Sequence, residues 1–211
     1  MLLNRIRQNL EAGRSVIVSE PKDLVVDVLT QIPDHRIHDL VLLDPLDKAP
    51  TGFIPLDLAG RSPALVADQP FSFFAAEYGK DLLGPRSADF LQLALDTVAH
   101  DENPTLVKLP ILLTNPPFRQ KLTALRIAAD PLHAAPFWHW YESLASDART
   151  QVIAPIQNEL RFFLQEPLRS VLAQPSSRFN LRGPVNGNKV LLAPFTGARL
   201  EPKPRNSPDH W

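Results

Sequence analysis

SVIVSEPKDLVVDVLTQIPDHRIHDLVLLDP, residues 15–45, is the stretch that decides the fold. Its first apolar run, residues 16–18, is too hydrophobic for a strand with one face in water. Residues 24–32 carry apolar side chains at helical spacing, and residues 40–43 form a second apolar run. Buried strands joined by one such helix are parallel, with a right-handed crossover. The stretch therefore predicts an open α/β sheet.

Polar residues follow both predicted strands, at the carboxyl edge where open α/β sheets bind their ligands. Glu20 and Lys22 follow the first strand, and Asp44 follows the second. We expect these three residues to be the candidates for contact with a cofactor. For Lys22 the alternative is solvation at the start of a helix, as for most surface lysines.

Composition limits the classes of protein to which the chain can belong. The 211 residues are 44% hydrophobic, which is enough for a buried core, and 22 Lys and Arg balance 23 Asp and Glu. No chain-wide basic field attracts nucleic acid, so any DNA contact has to be local. The absence of cysteine excludes disulfides and thiolate zinc sites and favours a reducing, cytoplasmic setting. No apolar run reaches the ~20 residues of a membrane-spanning helix.

Prolines and changes of periodicity organise the rest of the chain. They predict four segments: the N-terminal part of an α/β core (residues 1–85), an inserted all-helical subdomain (86–175), a returning part of the core (176–200) and a disordered tail (201–211). Residues 47–70 are rich in Pro, Gly and Asp and predict a loop over the sheet edge. Residues 189–193, KVLLA, predict a third buried strand. The predicted helices of the subdomain cover residues 90–98, 106–113, 118–127, 137–144 and 147–166.

Histidines and one arginine are the remaining candidates for chemistry. His35 and His38 have a spacing that could place two imidazoles on one metal, but a third ligand is not evident, and the alternative is an exposed pair. His133 and His139 lie among aromatic residues, whose spacing indicates helix packing or stacking on nucleic-acid bases. Arg86 could contact a phosphate or a partner subunit. The alternative for this arginine is an ion pair with a neighbouring carboxylate, either Asp89 or Glu77.

The order of several motifs resembles a known family. The opening LLNRIRQNLEAGRSVIVSEPKDLV is similar to the helix after the phosphate-binding loop, the second strand and the D-P-K-G-D-L-V signature of the FtsK/HerA class of P-loop DNA-pumping ATPases. VLLDPLD and GFIPLD look like the next strand and the G-F-N-P-L turn of that class. Five further segments resemble the inserted helical region of that class and the strand after it, in the same order: GPRSADFLQLAL, LPILLTNPPFR, FWHWYESL, VIAPIQNELRFFL and FNLRGPVNGNKVLLAPFTGARL. The resemblance covers residues 2–200 and is strongest to coupling-protein-like ATPases of conjugation and type IV secretion in actinobacterial mobile elements.

The resemblance implies a partial P-loop NTPase fold with a RecA/FtsK-like parallel sheet. In the intact family it implies ATP and Mg²⁺ as cofactors and a homo-hexamer that threads DNA. The Gly-rich loop of the family (Walker A) would precede Met1 and its acidic strand (Walker B) would follow the last strand, and neither motif is in this sequence. Glu20 stands where the signature has Asp, no glycine separates Lys22 from Asp23, and Ile54 replaces the Asn of the turn.

Hydrolysis of ATP needs the loop lysine, a metal held through its Ser or Thr, and an acidic partner. We therefore expect no catalytic residue, no metal site and no cofactor in this chain alone, and a function as an incomplete DNA-translocating motor domain. The alternative is a non-enzymatic interaction or regulatory module that binds a full-length motor ATPase, which would also be its route to a membrane. A third hypothesis is a metal hydrolase that uses the histidines.

Overall fold

The structure is a computed structural model that describes residues 1–20, 24–174 and 187–194, without the side chains of Glu20, residues 77–85 and Phe162. The described chain is mixed α/β, mostly helical, with a small three-stranded parallel sheet. It divides into two compact units. One combines Met1–Thr51 with Phe179–Trp211, and the other is Gly52–Arg178.

The first unit contains the sheet. Its elements are α1 (Leu2–Glu11), β1 (Val16–Glu20), α2 (Leu24–Leu29), a 3₁₀ helix (Asp34–Asp39), β2 (Leu40–Leu42) and β3 (Val190–Pro194). β3 lies between β1 and β2 and is parallel to both, with Val190 opposite Val16 on one side and Leu40 on the other. The prediction that the three apolar runs are parallel strands of one sheet is confirmed.

Alternate residues of the strands pack against α1 and α2, since successive side chains of a strand point to opposite faces. Val18 and Leu192 of the sheet share a buried cluster with Leu10 of α1 and with Val25 and Val28 of α2. The two helices therefore cover one face of the sheet and hold the strands in register.

The second unit is all-helical. Its helices are α3 (Pro63–Ala99), α4 (Lys108–Thr114), α5 (Pro116–Ala129), α6 (Pro131–Ser143), α7 (Ser146–Phe163) and α8 (Leu168–Leu172). Helices were expected at α4, α5, α6 and α7, and the structure has them within a few residues of the predicted bounds, apart from α6, which begins earlier, at Pro131. None of the helices in the described ranges has the length and apolarity required to cross a bilayer.

The helical unit begins earlier than the sequence boundary at residues 85 and 86, which falls inside α3. The prediction of a loop over residues 47–70 is wrong from Pro63 onward. Ser62 is the N-cap of α3 and accepts a hydrogen bond from Leu65 N at 3.4 Å, and Pro63 occupies the first turn, where its missing N–H costs nothing. The predicted tail, residues 201–211, and most of the returning segment lie outside the described residues.

The first residues of the helical unit contact its last described residues. Phe53 N donates a hydrogen bond to Val171 O at 3.1 Å. A Cβ atom added to Gly52 would lie 2.6 Å from Gln174 Oε1 and 2.9 Å from Gln174 Cβ, closer than real Cβ contacts. A side chain at position 52 would therefore force the side chain of Gln174 to move.

An aromatic cluster forms part of the core of this unit. The ring of Phe90 on α3 lies 4.9 Å from that of Tyr141 and 5.3 Å from that of Phe137, both on α6. Trp138 is buried, and its Nε1 donates a hydrogen bond to Thr97 Oγ1 at 3.2 Å. These contacts favour the packing interpretation of the aromatic stripe over the stacking of nucleic-acid bases.

Candidate functional site

The carboxyl edge of the sheet is where the sequence places its candidate site. Glu20 at the end of β1 pairs with Pro194 of β3, and Leu43, directly after β2, donates its N–H to Leu192 O at 2.8 Å. Because the strands are parallel, Glu20 and Asp44 lie at the same edge of the sheet, on either side of β3. Two strand spacings of about 4.8 Å put their backbones roughly 10 Å apart.

Asp44 is held in a tight turn at this edge. Its Oδ1 accepts a hydrogen bond from Leu46 N at 2.9 Å, and its carbonyl oxygen accepts one from Asp47 N at 3.3 Å. This is the side-chain turn that aspartate forms with the residue two positions further on, and it fixes the carboxylate relative to the strand. A carboxylate fixed in this way can accept a hydrogen bond from a ligand hydroxyl or from a metal-bound water.

The structure describes the other predicted contact residues only in part. Lys22 and the side chain of Glu20 lie outside the described residues. Arg86 is exposed on α3 and belongs to the helical unit, whereas Glu20 and Asp44 belong to the sheet unit. Of its two expected carboxylate partners, Glu77 has a side chain outside the described part, and Asp89 lines a cleft of the helical unit.

The histidines of the HRIHD motif are exposed on the 3₁₀ helix. Over residues 1–20, 24–174 and 187–194, no group of three or more His, Asp or Glu side chains is arranged to hold a metal ion. His139 is also exposed. His133 donates its backbone N–H to Asp130 Oδ1 at 3.2 Å, as part of the N-terminal cap of α6.

Arg36, which the sequence did not single out, joins the segments of the sheet unit. It is 3% exposed; its Nη1 donates to Leu10 O at 3.2 Å and to Arg14 O at 2.9 Å, and its Nη2 donates to Asn188 O. Asp39 completes the arrangement and accepts from Lys189 Nζ at 2.8 Å and from Arg36 Nε at 3.3 Å. The Lys189 hydrogen bond, with Arg36 as a smaller contribution, holds the pKa of Asp39 below its usual value. These contacts fix the amino end of the sheet, opposite the candidate site.

A buried charge cluster in the helical unit was also missed. Arg126 on α5 donates from Nε to Asp96 Oδ2 on α3 and from Nη2 to Asp130 Oδ2, the latter at 3.4 Å. Its Nη2 lies 3.3 Å from His133 Nδ1. The His133 backbone N–H, followed by Arg126, lowers the pKa of Asp130. The cluster ties α3, α5 and the start of α6 together.

A second buried arginine, Arg119, lies near the other end of α5 and binds residues of α4 and α6. Arg119 is buried; its Nε donates to Glu142 Oε1 at 2.6 Å and its Nη1 to Leu112 O at 3.2 Å. The hydrogen bond from Arg119 lowers the pKa of Glu142. The guanidinium carbons of Arg119 and Arg149 lie 5.1 Å and 5.2 Å from the centroid of the Tyr141 ring. Burial raises the pKa of the Tyr141 hydroxyl.

The sequence holds a signal for both arginines of α5. The buried residues of this helix are Arg119, Leu122, Thr123 and Arg126. They recur at the spacing of one helical face, so a periodicity analysis that includes charged residues finds arginines on the inward face. Buried arginines require acceptors, which indicates ion pairs inside the helical unit.

No protein-family model, curated protein or solved structure matches this chain.

Proposed function

We propose that this chain forms part of a DNA-translocating motor ATPase of the FtsK/HerA class, of the coupling-protein kind used in conjugation and type IV secretion. The observation that carries the proposal is the order of the elements. Two parallel strands and their helix come first, an all-helical unit follows, and the third strand returns between the first two. The order of these elements along the chain, as distinct from the place of the third strand in the sheet, is the one that the motifs of the sequence lead one to expect from a P-loop core with a helical insertion.

The carboxyl edge of the sheet supports a role in holding nucleotide. Glu20 and Asp44 follow the two outer strands at the edge where open α/β sheets bind ligands, and Asp44 is fixed by its turn. In the proposed motor, Glu20, Lys22 and Asp44 contact ATP and its Mg²⁺, and Arg86 contacts DNA or a neighbouring subunit of a hexamer.

The chain by itself does not hydrolyse ATP under this proposal. The 211 residues contain no G-x-x-x-x-G-K-[ST] motif, whose backbone amides and lysine hold the phosphates. The sheet edge supplies carboxylates, which accept hydrogen bonds but do not neutralise phosphate charge. Under this proposal the chain supplies residues that contact the nucleotide, and hydrolysis also requires a phosphate-binding loop.

Two measurements on the purified chain test the proposal. Phosphate release from ATP with Mg²⁺ is expected to equal that of buffer, for the chain and for Lys22→Ala; release above buffer that Lys22→Ala abolishes would contradict it. Fluorescence anisotropy with a labelled DNA duplex is expected to show binding, and Arg86→Ala is expected to weaken it. Because the variant loses one phosphate contact, the slope of log K against log salt concentration should change by about 1.

The matched control for the DNA measurement is Arg161→Ala, which removes an exposed arginine from α7 of the same unit. Equal binding by the two variants would remove Arg86 from the proposed contact. Absence of DNA binding together with capture of a complete motor ATPase at fixed stoichiometry would favour the interaction module instead.

A further inference from the structure

The helical unit contains a cleft that the proposed motor function does not use. It lies between α3, α5 and α6, entirely within Gly52–Arg178, and has a volume of about 510 Å³. Sites for small molecules in proteins have volumes of roughly 300–1,000 Å³. The cleft is therefore large enough for a small organic ligand.

Negative charge dominates the lining of this cleft. Its charged residues are Asp89, Asp96, Asp130 and Arg126, so one guanidinium faces three carboxylates. Arg126 is already shared between Asp96 and Asp130 through its Nε and Nη2 atoms. Asp89 is exposed at the same cleft. The lining thus attracts a cation more strongly than an anion.

Asp96 gives a second and independent indication of a missing partner. The residue is 6% exposed, and its Oδ1 is buried without a hydrogen-bond donor among the described residues. Arg126 donates to the other oxygen of this carboxylate, Oδ2, and His100 Nδ1, 3.8 Å from Oδ1, lies instead 2.7 Å from the Asp96 carbonyl oxygen. A buried carboxylate oxygen without a donor is costly, and the field of a nearby cation reduces that cost.

Beside Gln92 and His133, the remaining walls include apolar side chains. Ala67 and Leu93 are buried, and the ring of Phe137 lines the same cleft. An aliphatic stem can pack on these side chains while its charged head lies near the carboxylates, and an aromatic face adds attraction for a cation. The carboxylates and the apolar walls together favour an organic cation with an aliphatic stem.

We propose that this cleft binds a small organic cation, an amine or guanidine on a short aliphatic stem, with its charged head held by Asp89, Asp96 and Asp130. This inference is independent of the motor function, because it depends only on residues of the helical unit.

Isothermal titration calorimetry of the full chain with agmatine and with putrescine tests the proposal. One-site binding of at least one of them, with a Kd below about 1 mM, is expected at moderate salt. Asp89→Asn is expected to weaken that binding about tenfold, as loss of one charged contact does. Ala64→Leu keeps every charge but narrows the cleft that Ala64 lines, and it should weaken binding as well.

Asp68→Asn is the matched control, since Asp68 is an exposed aspartate of α3 that does not line the cleft. It is expected to bind as the unaltered chain does. Absence of binding by both ligands at millimolar concentration would overturn the proposal, as would an equal loss in Asp68→Asn and Asp89→Asn. Thermal unfolding of each variant verifies that it is folded, and both Asp89 and Ala64 are exposed, so their substitution leaves the core intact.

Discussion

Arg36 shows how much of the sheet unit depends on one buried side chain. Its guanidinium donates to the carbonyl oxygens of Leu10, Arg14 and Asn188, which belong to three separate segments. In Arg36→Met these acceptors lose their donor, and we expect the free energy of unfolding to fall by about 2–4 kcal/mol. Urea denaturation measures the change. Arg36→Lys should recover only part of it, because an ammonium lacks the extended planar fork with which the guanidinium spans these acceptors.

The control for this substitution is Arg5→Met, an exposed arginine of α1. It should change the free energy of unfolding by less than about 0.5 kcal/mol. If Arg36→Met and Arg5→Met unfold at the same urea concentration, the Arg36 contacts do not stabilise the unit.

At this scale the sequence predicts positions better than partners. Glu20 and Asp44 could be placed at one edge because strand ends follow from apolar runs, and the described backbone has them there. Arg36 could not be placed, because its partner Asn188 is 152 residues away and no local pattern relates the two. The ion pair of Asp96 with Arg126 joins two helices 30 residues apart in sequence and is hidden for the same reason.

Among the elements, α5 begins at a well-formed cap. Asn115 Oδ1 accepts a hydrogen bond from Phe118 N at 3.0 Å, and Pro116 follows at the first helical position. Asn115→Ala is expected to lower the free energy of unfolding by about 1 kcal/mol, since the amide of Phe118 loses its partner, whereas Asn115→Asp keeps an acceptor and should have a smaller effect. Thermal denaturation followed by circular dichroism measures both.

A comparison within the chain sharpens this prediction. Ser62 caps α3 with a longer hydrogen bond, 3.4 Å to Leu65 N, so Ser62→Ala should cost less than Asn115→Ala. The opposite order would mean that cap geometry does not determine the stability of these two helices.

Proline was the most misleading signal for the elements. Pro63, Pro116 and Pro131 each lie in the first turn of a helix, where a proline is favourable, although the same residues also mark loops. The strands were easier to predict, because short runs of β-branched and aliphatic residues favour strands. The expectation that β1 has no face in water is wrong, since Ile17 is 51% exposed, whereas residues 190–193 of β3 are buried. Their order in the sheet was not predictable, since any of the three apolar runs could have taken the central place.

For the whole molecule, acid is expected to destabilise both units. Asp39 in the sheet unit and Asp130 and Glu142 in the helical unit have pKa values lowered by hydrogen bonds and neighbouring cations. A carboxyl group whose pKa is lower in the folded state stabilises the fold at pH values above its unfolded pKa, about 3.9 for Asp and 4.3 for Glu. That stabilisation is lost as the pH falls through the folded pKa values.

The midpoint of thermal unfolding should therefore fall steeply below about pH 4.5. Glu142→Gln removes one of the three carboxyl groups and should make this decline shallower, whereas Asp147→Asn, at an exposed position of α7, should leave it unchanged. A decline of the same steepness in Glu142→Gln would show that the ion pair with Arg119 does not contribute to the acid response.

The division into units was predictable in kind but not in its limits. An α/β part interrupted by an all-helical part follows from the change of hydrophobic period along the sequence, and the structure has both. The helical unit begins at Gly52, before the predicted boundary at residues 85 and 86. Part of the reason is that residues 52–62 contain no periodic pattern of their own, although Ile54 and Leu56 are buried in the helical core. Burial of an irregular segment depends on the tertiary structure, and it leaves no periodic trace in the sequence.

Gly52 and Gln174 lie side by side at the neck of the helical unit. Since these two residues are in contact, the first and the last described residues of the unit hold each other in place. A bulkier side chain at position 52 would therefore disturb the end of the unit as well as its beginning.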